Sequence, residues 1–314
     1  TPLIFTHGPA GFAYYASFFR DALPPTRTIH TLNWYQPEDF TQLTFADYVA
    51  PFVELVAAQR GTNSFVLAGH SFGAQMAYEM GRQLLKRGCP PALIVLIDDE
   101  ADLHNRKFNA FHLPPLNDTT TGKCRYLLDR YLTQPYPGTV VQIVARETTL
   151  ERFADVSGSW ADLCDDLLET IEVPGDHTTM MSQENVLQWA PRIEELCQQA
   201  SARAPALTDD GSAVEALQRR QDEQASAPFL VAVTRAREAA RNGKLLGEIE
   251  AHQHARSLTP TPPYWLLRNE ADALWSYGDR QAALQRYREA AEREAVPIIG
   301  HQRLAERLQE TGAN

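Results

Sequence analysis

The chain has 314 residues, 44% hydrophobic and 22% charged, the composition of a soluble protein with room for one large core or for two domains. Its 29 basic residues stand against 40 acidic ones with no basic run, which argues against a nucleic-acid surface and against docking on anionic lipid. Four cysteines (Cys89, Cys124, Cys164, Cys197) lie far apart without a C-x-x-C pair. Neither a disulfide framework nor a zinc site is indicated, and a reducing cytoplasm fits.

No apolar stretch approaches the ~20 residues of a membrane span, and no signal peptide is present. The sequence opens at Thr1, almost inside its first apolar run, and reads as a piece of a longer polypeptide. Through the first 200 residues, short apolar runs ("PLIF", "SFVLAG", "ALIVLID", "TVVQIVA", "LETIEV") alternate with stretches of helical spacing. Runs that are apolar at nearly every position suit strands buried on both faces, and helical connections between them predict a mostly parallel α/β sheet. Helices are expected at roughly 11–22, 45–60, 72–87 and 182–199.

Residues 101–137 break the alternation with Pro, Asn and Thr clusters around one short helical patch, as a lid or binding insert would. Beyond residue 203 the strand-like runs end, and a second, all-helical domain is expected over 204–314. There Ala271, Leu274, Gly278, Ala283, Tyr287 and Ala290 fall at the spacing of a tetratricopeptide unit. Ala236, Ala239, Gly243, Ala255 and Pro260 repeat it about 35 residues earlier, and a closing helix is expected at about 298–312.

The chemistry gathers around "GHSFGA" at residues 69–74. A serine hydroxyl needs a base, a group to orient that base, and donors for the oxyanion. Gly69 and Gly73 flank Ser71 between a strand-like and a helix-like stretch, the setting of a nucleophile elbow, with the amide of Phe72 turned into the site. That fold places the acid and then the histidine later in the chain. Asp98, directly after "ALIVLI", is favoured over Asp99, Glu100 and Asp102. His177, on the turn "VPGDH" after the last strand, is favoured over the other histidines. His7 and His70 are expected to matter through their backbone. The second oxyanion donor should come from the loop after the first strand, where Pro9 has no N–H and the choice lies between Ala10 and Gly8.

With "GHSFGAQMAYEMGRQLLKRG", "LIVLIDDEAD", "QPYPGTVVQIVARE" and "GSWADLCDDLLETIEVPGDHTTMMSQENVLQWAPRIEEL", residues 2–200 resemble the thioesterase domains that end nonribosomal peptide and polyketide synthases, a branch of the α/β-hydrolases. The resemblance implies that Ser71 takes an acyl chain from the phosphopantetheine thioester of an acyl or peptidyl carrier protein. His177 would then be the base, Asp98 its orienting group, and no cofactor would be bound by the chain itself. It also makes 101–137 a lid, short for that role. Competing readings are a free-standing editing thioesterase, an interaction module with a hydrolase attached, whose tail docks a partner subunit, and a general lipase or esterase.

Overall fold

The computed structural model describes residues 1–37, 40–59, 64–99, 119–128, 131–147, 160–161, 163–203, 211–293 and 304–310. Much of the expected lid, 101–118, together with Glu100, Asp102, His104, His112 and His301, lies outside them.

Six parallel strands form one sheet in the order β2-β1-β3-β4-β5-β6, where β1 is Leu3–Thr6, β2 Ile29–Leu32, β3 Val66–His70, β4 Leu93–Ile97, β5 Tyr136–Ala145 and β6 Cys164–Val173. The sheet is an α/β fold with buried strands: every residue of β1, β3 and β4 is buried. On one face Phe5, Val66, Val95 and Ile143 meet α1 (Ala16–Ala22) and α5 (Gln183–Arg203) through Phe19, Trp189 and Ile193. On the other, α2 (Phe45–Gln59) packs against α3 (Phe72–Lys86), which lies on β1, β3 and β4. Contact there is so close that a Cβ on Gly81 would overlap the Ile94 side chain.

Three expectations need correcting. β2 was not foreseen; it is an edge strand with only Leu32 buried, so it lacks a continuous apolar run. β5 begins at Tyr136, so residues 136–137 belong to the sheet and not to the insert; the described part of the insert holds α4 (Thr120–Leu128). α1 starts at Ala16, not near residue 11, because Gly11 at φ +90° turns the chain and its carbonyl accepts the Trp34 N–H at 2.8 Å.

The chain divides into two compact units. α6 (Ser212–Ala225) belongs to the first as far as Gln221, one helix beyond the change in sequence texture at residue 204. Within that unit, Gln218 Nε2 donates to the Leu85 carbonyl at 2.7 Å, a second donor beside the Gly88 N–H at the end of α3, and Arg220 pairs with Asp165. The second unit is all-helical among its described residues: α7 (Pro228–Arg241), α8 (Leu245–Ser257), α9 (Tyr264–Tyr277), α10 (Arg280–Ala291) and α11 (304–310). α7 packs on α8, α8 on α9 and α9 on α10. Gly243 and Gly278, both at positive φ, form the turns within the first and last pairs, and the Trp275 ring lies under the guanidinium groups of Arg280 and Arg307.

Candidate active site

β3 ends at His70, and the chain turns straight into α3 through Ser71, whose backbone sits at φ 56°, ψ −126°. A non-glycine residue is held there only when its surroundings over-determine it, at a cost of about 1–3 kcal/mol. The turn is made possible by close approach. A Cβ on Gly69 would overlap the Gly73 carbonyl and Thr6 Oγ1, and one on Gly73 would lie 2.9 Å from the His7 carbonyl oxygen. Thr6 Oγ1 donates to the Gly73 carbonyl at 2.6 Å, and Ser71 N–H donates to the Ile97 carbonyl at 3.0 Å. Phe72 is the first residue of α3, so its N–H has no acceptor within the helix.

Parallel pairing sets His70 beside Ile97, and Asp98 therefore leaves β4 next to Ser71. Asp98 also has positive φ (45°) and donates its N–H to the Ile143 carbonyl at 2.7 Å. Its Oδ1 accepts the Ala145 N–H at 2.8 Å, and its Oδ2 accepts from His177 Nδ1 at 2.6 Å. The Asp98 side chain is 1% exposed and that of His177 29%. Burial works against the Asp98 charge, but the hydrogen bonds from His177 and Ala145 outweigh it and hold the carboxyl below its ordinary pKa. A carboxylate can only accept, so Nδ1 of His177 carries the proton and Nε2 is left as a base.

His177 sits on a turn fixed from both sides. Gly175 at φ 101° offers its carbonyl to the Glu147 N–H at 3.1 Å, and Asp176 Oδ1 accepts from the N–H groups of Thr178 and Thr179 at 2.8 and 2.7 Å. Asp99, the rival acid, faces elsewhere: its Oδ2 accepts from Gln75 Nε2 at 2.6 Å.

The loop expected to supply the second oxyanion donor is a tight turn, closed by the Gly11 N–H to the Gly8 carbonyl at 2.9 Å, with Ala10 exposed at its tip. Thr121 Oγ1 of α4 donates to the Pro9 carbonyl at 3.2 Å. His7, just before it, is buried: Nδ1 donates to the Gly8 carbonyl and Nε2 accepts from Tyr48 OH, each at 2.8 Å. Burial, opposed only by that carbonyl, lowers its pKa to about 4.

The structure thus brings Ser71, Phe72, Asp98 and His177 to the carboxyl edge of adjacent strands, and joins Asp98 to His177 directly. Sequence reasoning missed three residues. Thr6 ties β1 to the elbow. Tyr15 donates to the Thr6 carbonyl at 3.2 Å and accepts the His70 N–H at 3.3 Å. The His70 side chain, expected to be incidental, bonds to the His177 carbonyl at 2.8 Å. Only the position of Thr6 at a strand end could have hinted at the first. Among the described residues, no helix is long and apolar enough to cross a membrane.

Residues 1–129 match the family model of the thioesterase domain. Erythronolide synthase EryA3 of Saccharopolyspora erythraea is 31% identical over 188 residues, which is 56% of this chain and 6% of that synthase. This chain therefore spans a small fraction of that relative's length. Two solved structures share the fold. A four-domain nonribosomal peptide synthetase, AB3403, is 20% identical and aligns over 62% of this chain and 19% of its own, with a TM-score of 0.51. The Vlm2 thioesterase domain with a bound dodecadepsipeptide is 16% identical over 62% of this chain and 92% of its own, with a TM-score of 0.50. Residues 1–129 are thus similar in sequence to the thioesterase-domain family, and the α/β part of the chain shares its fold with the Vlm2 thioesterase domain.

Proposed function

We propose that this chain, a relative of those thioesterase domains, is the serine thioesterase that releases the acyl chain of an assembly line from a carrier-protein phosphopantetheine thioester, by hydrolysis or cyclisation. The observation that carries the reading is the 2.6 Å bond between His177 Nδ1 and Asp98 Oδ2 at the sheet edge where Ser71 is held in its strained turn. His177 Nε2 takes the Ser71 proton as Oγ bonds to the thioester carbonyl carbon. The Phe72 amide and an amide of the 8–10 loop, from Ala10 or Gly8, receive the oxyanion. The C–S bond then breaks, and the departing thiol takes the proton from His177. Water or a nucleophile of the acyl chain attacks the acyl-serine ester next, giving its proton to His177, which returns it to Ser71.

The chain needs no bound cofactor of its own for these steps; the pantetheine arm arrives with the acyl or peptidyl carrier protein. In the C-terminal unit, the buried small residues Ala236, Ala255, Ala271 and Ala283 suit closely packed tetratricopeptide-like hairpins, and we read this unit as a docking arm for a partner subunit in the cytoplasm. The test is release from a carrier protein loaded with a panel of acyl chains, followed by mass spectrometry. Release by the wild type and its loss in Ser71→Ala supports the reading; equal release by both overturns it.

A further inference from the structure

We propose that His70 is a positioning residue for His177, tying the base to the strand that carries the nucleophile; the inference rests on the acyl-transfer reading of Ser71 and His177. His70 is buried at the end of β3, where a polar side chain is tolerated only with a partner. The partner of its Nε2 is the main-chain carbonyl of His177, 2.8 Å away. A carbonyl oxygen can only accept, so Nε2 of His70 carries the proton. The two imidazoles also lie against each other, with centroids 4.5 Å apart and planes inclined by 33°.

His177 is therefore gripped twice. Asp98 holds Nδ1, and His70 holds the backbone and one face of the ring. The grip does not end at His70. Its N–H donates to Tyr15 OH, and the Tyr15 ring stands edge-on to the His70 ring at 5.9 Å. Burial raises the Tyr15 hydroxyl pKa, which keeps it a neutral donor and acceptor. Tyr15 OH in turn donates to the Thr6 carbonyl of β1. Because His70 directly precedes Ser71, the bond to the His177 carbonyl makes nucleophile and base parts of one rigid unit. Without it the base is held by Asp98 and by the turn bonds of Gly175 and Asp176, neither of which reaches the strand that carries Ser71. A misplacement of about 1 Å is enough to cost on the order of 100-fold in rate.

The test measures the rate at which a fluorophosphonate probe modifies Ser71, followed by intact mass, in wild type and in His70→Leu, His70→Asn and His70→Gln, with thermal unfolding alongside. The Gln amide reaches as far as Nε2 of histidine; the Asn amide stops short. We expect His70→Leu and His70→Asn to react about 10- to 100-fold more slowly, while His70→Gln recovers most of the wild-type rate at a thermal stability matching His70→Asn. A purely structural role would move Asn and Gln together. Wild-type rates in His70→Asn, or a Gln variant as slow as Asn, overturn the proposal, and the Asn–Gln pair decides it even where His70→Leu does not fold. Equal modification of Ser71→Ala and wild type would instead overturn the nucleophile reading, and this inference with it.

Discussion

Asp98 accepts from His177 Nδ1 and from the Ala145 amide at once, one donor to each carboxylate oxygen, at 2.6 and 2.8 Å. An asparagine in its place has only one acceptor oxygen. Its NH2 group must then face either the Ala145 N–H or His177 Nδ1, and the second arrangement forces the wrong imidazole tautomer. Asn also tolerates the positive φ of this position, so the backbone is kept. Asp98→Asn is expected to lower kcat for thioester release by about 10³- to 10⁴-fold with KM little changed. Steady-state kinetics on a loaded carrier protein check this.

The elbow depends on the absence of a side chain at residue 69. In Gly69→Ala the new methyl meets the Gly73 carbonyl and Thr6 Oγ1, neither of them the tip of a flexible chain. We expect a loss of about 3 kcal/mol or more and no activity. Gly88 has φ +75° but nothing within 4 Å of an added Cβ, so Gly88→Ala should cost only about 1–2 kcal/mol and leave turnover intact. Urea unfolding of the two variants separates crowding from backbone strain.

Acid should weaken the fold in a defined window through His7. Its pKa is near 6.5 when unfolded and about 4 in the fold, so the unfolded chain binds this proton first as pH falls. The stabilisation is complete above pH 6.5 and is lost as pH falls through 4. Stability should drop by about 2 to 3 kcal/mol between pH 7 and 4.5, and His7→Gln should flatten that part of the profile. Asp98 acts in the same direction at lower pH: its depressed pKa stabilises the fold above the ordinary carboxylate value and ceases to do so as pH falls through the folded one.

The C-terminal boundary of the α/β unit can be tested by truncation. A protein of residues 1–225 keeps α6, with Gln218 bonded to the Leu85 carbonyl and Arg220 paired with Asp165. A protein of residues 1–203 loses both. The longer piece should be the more stable by at least about 1 kcal/mol, as measured by thermal unfolding.

The strands that lead to Ser71 and Asp98 were readable because each is buried on both faces, and the chain order Ser, Asp, His followed from the elbow. β2 escaped because His30 and Thr31 are exposed at the sheet edge and only Leu32 signals a core. The couplings among Thr6, Tyr15, His70 and His177 escaped for another reason. They depend on which strand lies beside which, since β1 pairs with β3 across more than 60 residues of sequence, and no spacing within the chain encodes that neighbourhood. Histidine before the serine looks like part of a motif; only its contact with the His177 carbonyl gives it a role.

Ser71 is expected to become acylated during turnover. The most direct measurement mixes the protein with an acyl-loaded carrier protein, quenches with acid within the first turnover, and maps the acyl mass by peptide mass spectrometry. The acyl group is expected on the peptide containing Ser71 in wild type and is expected to be absent in Ser71→Ala. Acyl mass on another residue, or turnover undiminished in Ser71→Ala, would contradict it.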